Sequence, residues 1–426
     1  MLDIEIFREE PDRIRESEKK RDKDPERVDR VIELDKEWRE KLHELEELRA
    51  ERNRVGDEIA AAKREGGSAE EKIDEMQEVK EKINELEDEV ERLKEERDEE
   101  RFKVGNIMHE SVPKGEDEDD NVPIKHWEPD EGKAGEGKLA ADLLEENDHL
   151  WNQEKAAEVA GERAYYLKGD LFRLNQALIQ FGMDFMRERD YEPHQTPYIL
   201  NRAPMEAAVE LEDFEEQLYK LEGHDRFLIA TSEQTLAALQ YDEILDPNEL
   251  PLKYAGFSTN FRREAGKHGQ ETRGLWRVHQ FEKVEQFIFS KPENSWELHD
   301  ELLQNSEELM QELGLPYRVV NVCTGDLGNV AAKKYDIEVW RPPLGEYGEV
   351  VSCSNCTGYQ AEELNTRMRQ QDDNVTVHTL NATAIATSRI ITAIIENNQT
   401  ERGIEIPEAV QPYMGGQEYI ELQKTD

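Results

Sequence analysis

The sequence lacks the long apolar runs and the cysteine content of membrane or disulfide-rich secreted proteins. No stretch approaches the roughly 18 consecutive apolar residues that suggest a membrane-spanning helix. The N-terminus, MLDIEIFREEPDRIRE, lacks the basic and then apolar segments of a signal peptide. Three cysteines, Cys323, Cys353 and Cys356, are too few for a disulfide framework. These absences predict a cytoplasmic protein with no membrane partner.

Positive charge is scarce. Lys and Arg number 55 against 100 Asp and Glu, which gives a formal net charge of −45. Such a charge alone would indicate disorder or repulsion from nucleic acid. Yet 36% of the residues are hydrophobic, and the aromatic residues concentrate after residue 150, enough for a core there. Because the acidic residues spread through the whole chain, we favour a folded, halophilic protein whose self-repulsion is screened by a high-salt cytoplasm.

Aromatic residues are nearly absent between residues 29 and 100, where Trp38 is the only one. Apolar residues there recur at steps of three and four on both sides of a Glu-Gly-Gly-Ser turn at 65–68, the spacing of a coiled coil. The pattern predicts an antiparallel coiled-coil hairpin with arms about 50 Å long that projects from the rest of the protein. The two runs are Val31, Leu34, Trp38, Leu45, Leu48, Val55 and Ile59, and then Met76, Val79, Ile83, Leu86, Val90 and Leu93.

A projecting coil can be a spacer, a dimerisation rod or a grip on an extended partner. Positive charge gathers near the turn although the chain is otherwise acidic, and this favours contact with a polyanion. The residues are Arg49, Arg52, Arg54, Lys63 and Arg64. We assign residues 1–105 to this helical domain.

Composition changes twice after the coil. Residues 106–138 are rich in Pro, Gly and acidic residues, which predicts a linker before a domain at 139–426. Asp170 begins a strongly amphipathic helix that ends near Asp190, and a strand at 191–200 follows with two prolines. Because proline in a strand belongs at a sheet edge, this helix and strand could form a dimer interface.

Charged residues share one face of two predicted strands at 257–264 and 275–289, which flank a loop rich in Gly, Lys, His and Gln. Side chains two apart on a strand point to the same side. Buried unpaired charge is costly, so this face is either a ligand cradle or a solvated surface. The apolar Val278 and Val284 nearby favour a ligand site. The face comprises Arg262, Glu264, Arg277, His279, Phe281, Lys283 and Glu285.

Three further features allow two interpretations each. Thr231 precedes a predicted helix at 234–245 and is either its N-cap or part of a site. The Cys353-x-x-Cys356 spacing is typical of zinc ligands, but a structural zinc site needs four ligands. A buried turn with two unbridged thiols is therefore favoured. Arg389 lies near the start of a predicted helix at 381–396, where the helix dipole disfavours a cation. Either an anion compensates it or it reaches a surface carboxylate.

Several motifs together resemble the class II aminoacyl-tRNA synthetases and, among these, the seryl-tRNA synthetases. FRRE at 261–264 and TRGLWRVHQFEKVE at 272–285 are similar to the second class motif. Thr196-Pro197 matches the first motif, and TLNATAIATSR at 379–389 resembles the third in a form associated with archaeal members. CTGDLGNVAAKKYDIEVW and EVVSCSNCTGYQAEELN are similar to stretches of seryl enzymes specifically. The resemblance covers nearly the whole chain.

The resemblance implies an α+β fold with an antiparallel β-sheet, flanking helices and the N-terminal arm, assembled as a homodimer. It implies that ATP and Mg²⁺ serve to activate L-serine as seryl-adenylate. The seryl group then passes to the 3′ end of tRNA(Ser), whose long variable arm the coil grips. By the same resemblance, tRNA(Sec) is a further candidate substrate.

The resemblance also implies roles for individual residues. Arg262, Arg389 and Glu285 are the catalytic candidates, and Glu349 and Ser352 the Mg²⁺ ligands. ATP binding falls to Arg262, Arg263, Glu264, Arg277, Val278, Phe281, Glu349, Val350, Val351, Ser352 and Arg389. Serine binding falls to Thr231, Ser232, Glu233, Arg262, Glu285, Asn381 and Thr383. His279 and Lys283 receive no role.

Two kinds of alternative stay open. One is a class II ligase for another small amino acid, such as threonine or alanine, although neither explains the N-terminal hairpin. The other is a synthetase-like paralogue that binds RNA without aminoacylation. Retention of Arg262, Glu264, Glu285, Glu349 and Arg389 argues against the paralogue.

Overall fold

The computed structural model describes residues 1–66, 68, 70–130, 132–209, 215–264, 273–371 and 373–423. Contacts between residues divide the chain into two compact units, Met1–Ile107 and Met108–Asp426. None of the helices in these described ranges is both long and apolar enough to cross a membrane.

The first unit is entirely helical. It consists of α1 (Ile4–Glu9), α2 (Pro11–Lys20), α3 (Glu26–Arg64) and α4 (Glu70–Phe102). Helix α3 has 39 residues and therefore spans about 58 Å at about 1.5 Å per residue. The predicted pair of long helices is confirmed, and Gly56 does not interrupt the first.

Helices α3 and α4 pack antiparallel along the predicted apolar seam. Leu45, Val79, Ile83, Leu86 and Val90 form one buried cluster, against which Trp38 packs. At the base of the hairpin, the Asp35 side chain is only 2% exposed and contacts three arginines. Burial opposes its ionisation, but the hydrogen bond from Arg8 and the charges of Arg8, Arg39 and Arg97 keep its pKa below the ordinary value. This cluster fixes the base of the arm.

The second unit is built on a mostly antiparallel sheet. Its first nine strands are β1 (Val122–Trp127), β2 (Trp151–Asn152), β3 (Tyr166–Leu167), β4 (Glu192–Gln195), β5 (Ile199–Asn201), β6 (Arg226–Leu228), β7 (Ile244–Leu245), β8 (Leu252–Phe261) and β9 (Gln280–Ser290). The remainder are β10 (Tyr317–Asn321), β11 (Lys333–Arg341), β12 (Glu346–Thr357), β13 (Arg367–Gln370), β14 (Asp373–Thr376), β15 (His378–Ala386), β16 (Gln399–Thr400), β17 (Gly403–Glu405) and β18 (Tyr419–Ile420).

Eight of these strands form the central sheet in the order β1-β10-β11-β12-β15-β9-β8-β4. All neighbours pair antiparallel except β4 and β8, which run parallel. The predicted α+β fold is confirmed. The stretch 106–138, predicted as a linker, contributes the edge strand β1. The proline-containing strand β4 lies at the opposite edge, as predicted for an edge strand.

The α-helices of this unit are α5 (Ala140–Glu145), α6 (Gln153–Ala160), α7 (Gly169–Arg187), α8 (Arg202–Ala208), α9 (Ser232–Ala237), α10 (Ser295–Glu312), α11 (Tyr359–Glu363) and α12 (Thr387–Asn397). Helices α7 and α10 cover one face of the sheet. Ile385 and Val284 lie where a Cβ on Gly182 of α7 would point, and Gln286 donates to Ser306 of α10. On the opposite face, α8, α9 and α11 pack against Phe287 and Phe289 of β9, and the remainder of that face is available for a site.

Three predicted elements differ from the structure. The segment predicted as a helix at 381–396 is a strand up to Ala386 and a helix only from Thr387. This strand lies between β9 and β12 and is buried on both faces, so it lacks the polar and apolar alternation that marks a half-buried strand. The strand predicted at 257–264 is β8, which ends at Phe261, so that Arg262 follows it. The strand predicted at 275–289 is β9, which begins only at Gln280, so that the run 275–279 precedes it. The helix predicted at 234–245 is the short α9, followed by a 3₁₀ turn.

Candidate active site

A cavity of about 450 Å³ opens on the face of the central sheet that is opposite to α7 and α10. It brings together most of the predicted site residues, although they come from six separate segments of the chain. The predicted residues that line it are Thr231, Glu233, Arg262, Glu264, Val278, Phe281, Glu285, Glu349, Val350, Ser352, Asn381, Thr383 and Arg389. Lys283, Lys334, Trp276 and Cys356 line it as well. The loop segment 265–272 lies outside the described residues.

Strand alternation explains only part of this face. On β9, Phe281, Lys283 and Glu285 point into the cavity, as the spacing of two predicts. On β12, Glu349 and Ser352 are three apart and would normally face opposite sides. The register shifts between Ile337 and Glu338 of the neighbouring strand, because Ile337 pairs with Val351 and Glu338 with Glu349. This β-bulge at Val350 returns both side chains to the same face.

A second bulge lies on β15. Thr383 pairs with Glu285 and Ile385 with Val284, so that Ala384 is the extra residue. Asn381, Thr383 and, after the bulge, Ala386 line the cavity. Bulges near active sites re-aim side chains in this way.

Other predicted residues do not line the cavity. His279 donates from Nδ1 to the carbonyl of Arg262 at 2.8 Å and faces a different cavity. Arg277 also lies outside the cavity lining, with Nη1 3.8 Å from a carboxylate oxygen of Glu264. The prediction that Arg277 and His279 share the face of Phe281 through strand alternation is wrong, because the strand begins only at Gln280 and Trp276 and Val278 point inward instead.

Three more predicted residues, Ser232, Val351 and Arg263, do not line the cavity. Ser232 is fully buried and donates to the carbonyl of Gly256 at 3.2 Å. Val351 belongs to the hydrophobic core. The backbone N–H of Arg263 donates to the carbonyl of Gln217 at 2.9 Å, and its side chain is exposed.

One end of the cavity carries carboxylates and hydroxyls. Lys283 Nζ lies 2.5 Å from Glu285 Oε2, and the hydroxyl of Thr383 donates to the same oxygen at 3.3 Å. Burial raises the pKa of Glu285, against the influence of Lys283. Thr231 caps α9 by accepting from the N–H of Glu233 at 3.2 Å, so its predicted capping role is confirmed.

Glu233 is held by a residue that the sequence analysis missed. Gln360, on α11, donates to Glu233 Oε1 at 2.9 Å and to the carbonyl of Ala208 at 3.0 Å, and accepts from the Thr379 hydroxyl at 2.7 Å. Burial and the charge of Glu285 raise the pKa of Glu233 to about 7. Gln360 sits in no periodic pattern, and its buried amide was visible only once the sheet and helix were placed.

The other end of the cavity carries guanidinium groups. The Arg262 guanidinium lies 5.2 Å from the centre of the Phe281 ring, and its Nε donates to the carbonyl of Ala230 at 3.3 Å. Burial and the nearby charge of Arg389 lower the pKa of Arg262, although neighbouring carboxylates oppose this. Arg389 is the third residue of α12, so its predicted place at a helix start is confirmed.

Arg389 contacts Glu349 and packs on Trp276. Its Nη1 donates to the carbonyl of Glu349 at 2.7 Å and lies 3.3 Å from the carboxylate. Burial opposes ionisation of Glu349, but Arg389, Lys334 and Arg262 outweigh it and lower its pKa. The Trp276 ring lies 5.5 Å from the Arg389 guanidinium, and a Cβ on Gly348 would lie only 2.5 Å from this ring. Glycine at 348 therefore allows the ring to lie flat against the strand.

The cysteines form no metal site. Cys353 and Cys356 are buried, reduced and not joined in a disulfide. Within the described ranges no group of three or more His, Cys, Asp or Glu residues could hold a metal ion. The two thiols are buried and unbridged, as predicted, but the predicted turn is wrong, because both residues lie within strand β12. Burial raises the pKa of both thiols.

The five basic residues that were predicted to contact a polyanion lie on α3, in its half nearer the turn. Arg49 pairs with Glu87 at 2.8 Å, and Arg54 with Glu51 at 3.3 Å. Both pairs are exposed, and exposed pairs hold their partners weakly. These arginines can therefore exchange their carboxylates for another anion.

Comparisons with known proteins match both units. The model of the seryl-tRNA synthetase N-terminal domain matches residues 1–108, and that of the class II tRNA synthetase core domain (G, H, P, S and T) matches residues 216–398. A serine–tRNA ligase of Helianthus annuus is 46% identical over 100% of this chain and 99% of its own. That of Methanoculleus marisnigri is 47% identical over 99% of this chain and 100% of its own. The crystal structure of seryl-tRNA synthetase from Pyrococcus horikoshii complexed with ATP superposes with a TM-score of 0.90 at 44% identity, covering 99% of this chain and 100% of that one.

Proposed function

The chain belongs to the seryl-tRNA synthetases, a family of class II aminoacyl-tRNA synthetases, and from this premise we propose how its cavity ligates serine to tRNA with ATP. A carboxylate oxygen of serine attacks the α-phosphorus of ATP, the bond to the bridging oxygen breaks, and pyrophosphate leaves. A ribose hydroxyl at the 3′ end of the tRNA then attacks the carbonyl carbon of seryl-adenylate, and AMP leaves.

The observation that carries this proposal is the pairing of two guanidinium groups at one end of the cavity with two carboxylates at the other. Arg262 and Arg389 lie close enough for the charge of Arg389 to lower the pKa of Arg262. An anionic ligand between them relieves this repulsion. Phosphoryl transfer depends on such charge neutralisation and alignment more than on acid–base groups.

Arg262 holds the α-phosphate and the serine carboxylate, because a planar guanidinium can bridge two oxyanions. Phe281, beside it, supports the adenine ring from one side, and Arg389 closes the other side and contacts the γ-phosphate. Glu264 accepts from the adenine amino group. Arg277, paired with Glu264, and the backbone around Arg263, Val278, Val350 and Val351 complete the ATP site.

Serine occupies the carboxylate end. Its ammonium and hydroxyl groups pair with the polar side chains there, which are Thr231, Glu233, Glu285, Asn381 and Thr383. Ser232 supports the start of α9 from behind. A site built to pair a hydroxyl rejects alanine strongly, because alanine leaves the pairing groups buried without a partner.

Glu349 and Ser352 suit Mg²⁺, since the bulge at Val350 turns both oxygen-bearing side chains to one face and the Glu349 carboxylate is ionised. Mg²⁺ typically binds through one or two carboxylates together with substrate phosphates. When bound, it supplies further neutralisation of the triphosphate charge.

The partners extend the proposal beyond the cavity. The arm grips the long variable arm of tRNA(Ser) through Arg49, Arg52, Arg54, Lys63 and Arg64. The chain forms a homodimer through α7 and β4, since β4 is an edge strand of the central sheet. The acidic surface belongs to a halophilic cytoplasm, and tRNA(Sec) is a second acceptor.

Serine-dependent exchange of pyrophosphate into ATP, measured in high salt and followed by charging of tRNA(Ser), tests the proposal. Arg262→Ala removes the charge that neutralises the α-phosphate, so we expect exchange to be abolished. Arg402→Ala is the matched control, because this arginine stacks on Tyr419 at the surface and should leave exchange unchanged. Exchange with another amino acid but not with serine would refute the specificity. Exchange without charging of any tRNA would favour an RNA-binding paralogue.

A further inference from the structure

Lys283 is a cation of β9 that lines the cavity at its carboxylate end. It lies between Phe281 and Glu285 at strand spacing, and its side chain is only 7% exposed. A lysine so deeply buried requires a partner. Its partner is Glu285, the residue assigned to serine, and not a surface carboxylate.

The geometry around Glu285 is asymmetric. Lys283 and the hydroxyl of Thr383 both approach the same oxygen, Oε2, at 2.5 and 3.3 Å. Within the described part of the chain, Oε1 is then the oxygen that can accept a hydrogen bond from a ligand. Lys283 and Thr383, from adjacent strands, thus fix the rotation of the carboxylate.

The electrostatics give Lys283 a second effect. The charged or titratable groups near Glu285 are Lys283 on its own strand, Arg262 beyond β8, Glu233 on α9, and the thiols of Cys353 and Cys356 on β12. Strand β15 contributes the uncharged Asn381 and Thr383. Burial raises the pKa of Glu285, and Lys283 is the strongest influence opposing it. The thiols stay protonated, because burial raises their pKa values well above the ordinary one.

We propose that Lys283 is a specificity-determining positioning residue, which pairs with Glu285 and orients its carboxylate so that Oε1 accepts the hydrogen bond of the serine hydroxyl. This inference rests on the proposed function. Lys283 acts through Glu285 and does not touch the reacting phosphate. Discrimination of serine from alanine therefore depends on a lysine that contacts neither amino acid.

The test is Lys283→Met, which keeps the length of the side chain and removes the charge. Without this charge the pKa of Glu285 rises further and its carboxylate loses the contact that orients it, so the hydrogen bond to the serine hydroxyl is weakened. We expect the KM for serine to rise about 10- to 100-fold at pH 7. Because a higher pH favours the ionised carboxylate, the loss should become smaller as the pH rises. The kcat and the KM for ATP should change little.

Controls separate this role from general disruption. Lys283→Arg restores a charge and should recover most of the serine affinity, even if Lys283→Met folds poorly. Lys253→Met removes the ion pair between Lys253 of β8 and Glu301 of α10, outside the cavity, and should leave the pH profile unchanged. The ratio of exchange with serine to exchange with alanine should fall in Lys283→Met.

Two results would overturn the inference. One is a loss in Lys283→Met that is independent of pH, which indicates a purely structural role. The other is a fall in kcat with an unchanged KM for serine, which indicates direct contact with the transition state. A wild-type chain without serine-dependent exchange would instead refute the proposed function, so the two failures are distinguishable.

Discussion

A buried ion pair supports the wall of the cavity beside Arg389. Arg341 on β11 donates through Nε and Nη2 to the two carboxylate oxygens of Glu396 on α12, both at 2.8 Å. The two side chains are 5% and 1% exposed. The Trp276 ring lies 4.1 Å from the Arg341 guanidinium and 5.5 Å from that of Arg389. The pair thus supports the ring against which Arg389 rests.

Glu396→Gln keeps the shape of the side chain and removes its charge. Breaking a buried pair by removing one partner costs about 3–5 kcal/mol, because the remaining charge stays buried. We expect the free energy of unfolding of Met108–Asp426 to fall by that amount. The double variant Arg341→Met/Glu396→Met buries no charge, so it should be clearly more stable than Glu396→Gln. The double variant should remain less stable than the wild type, because the Ala140 N–H, which donates to Glu396 at 3.3 Å, loses its acceptor.

Urea unfolding followed by tryptophan fluorescence measures this effect, since five of the six tryptophans lie in the second unit. Glu146→Gln is the matched control, because its pair with Lys138 at 2.8 Å is exposed and should be worth less than about 1 kcal/mol. The KM for ATP should rise in Glu396→Gln as Trp276 and Arg389 lose support. The reasoning is refuted if Glu396→Gln unfolds within about 1 kcal/mol of the wild type, or if the double variant is no more stable than the single one.

Three further outcomes are expected. The pKa of Glu233, raised by burial and Glu285 to about 7, means that the native state holds this proton more tightly than the unfolded chain, so wild-type stability falls as pH rises from about 4.5 to about 7. Glu233→Gln removes this dependence. The free energy of unfolding of the variant, measured with urea, should therefore rise relative to that of the wild type by at most about 3 kcal/mol between pH 5 and pH 8, since the group is partly open to water. A difference that stays constant with pH would contradict this. The melting temperature should rise from low to molar potassium chloride, and a flat or falling series would exclude salt adaptation. Replacing residues 42–88 by a short Gly-Ser linker keeps the Asp35 cluster, so serine-dependent exchange should persist while tRNA charging is lost; retained charging would mean that the arm is not the grip.

The sequence predicts best where periodicity is strict and one side of an element is solvated. The heptad spacing correctly predicts two long helices around the turn, because their outer faces are polar, although α3 and α4 extend beyond the predicted seams at both ends. The alternation on β9 correctly places Phe281, Lys283 and Glu285 on one face. It fails for β15, where both faces are buried and the alternation disappears. The run 275–279 looks like a continuation of β9 but is irregular. It directly follows Gly274, whose φ is +82°.

The two bulges explain why a cavity of this kind is hard to derive from spacing alone. Glu349 and Ser352 share a face only because β11 and β12 slip by one residue at Val350. Thr383 and Ala386 share theirs because β15 slips against β9 at Ala384. A strand's own sequence fixes the side-chain period, but its partner fixes where that period breaks. Spacing arguments therefore reached the residues of β9 from the sequence, whereas the candidate Mg²⁺ ligands and Thr383 came only from the family resemblance. Ser352 and Thr383 carry small hydroxyls that no charge argument would single out, and they reach the cavity solely through these two interruptions of the sheet.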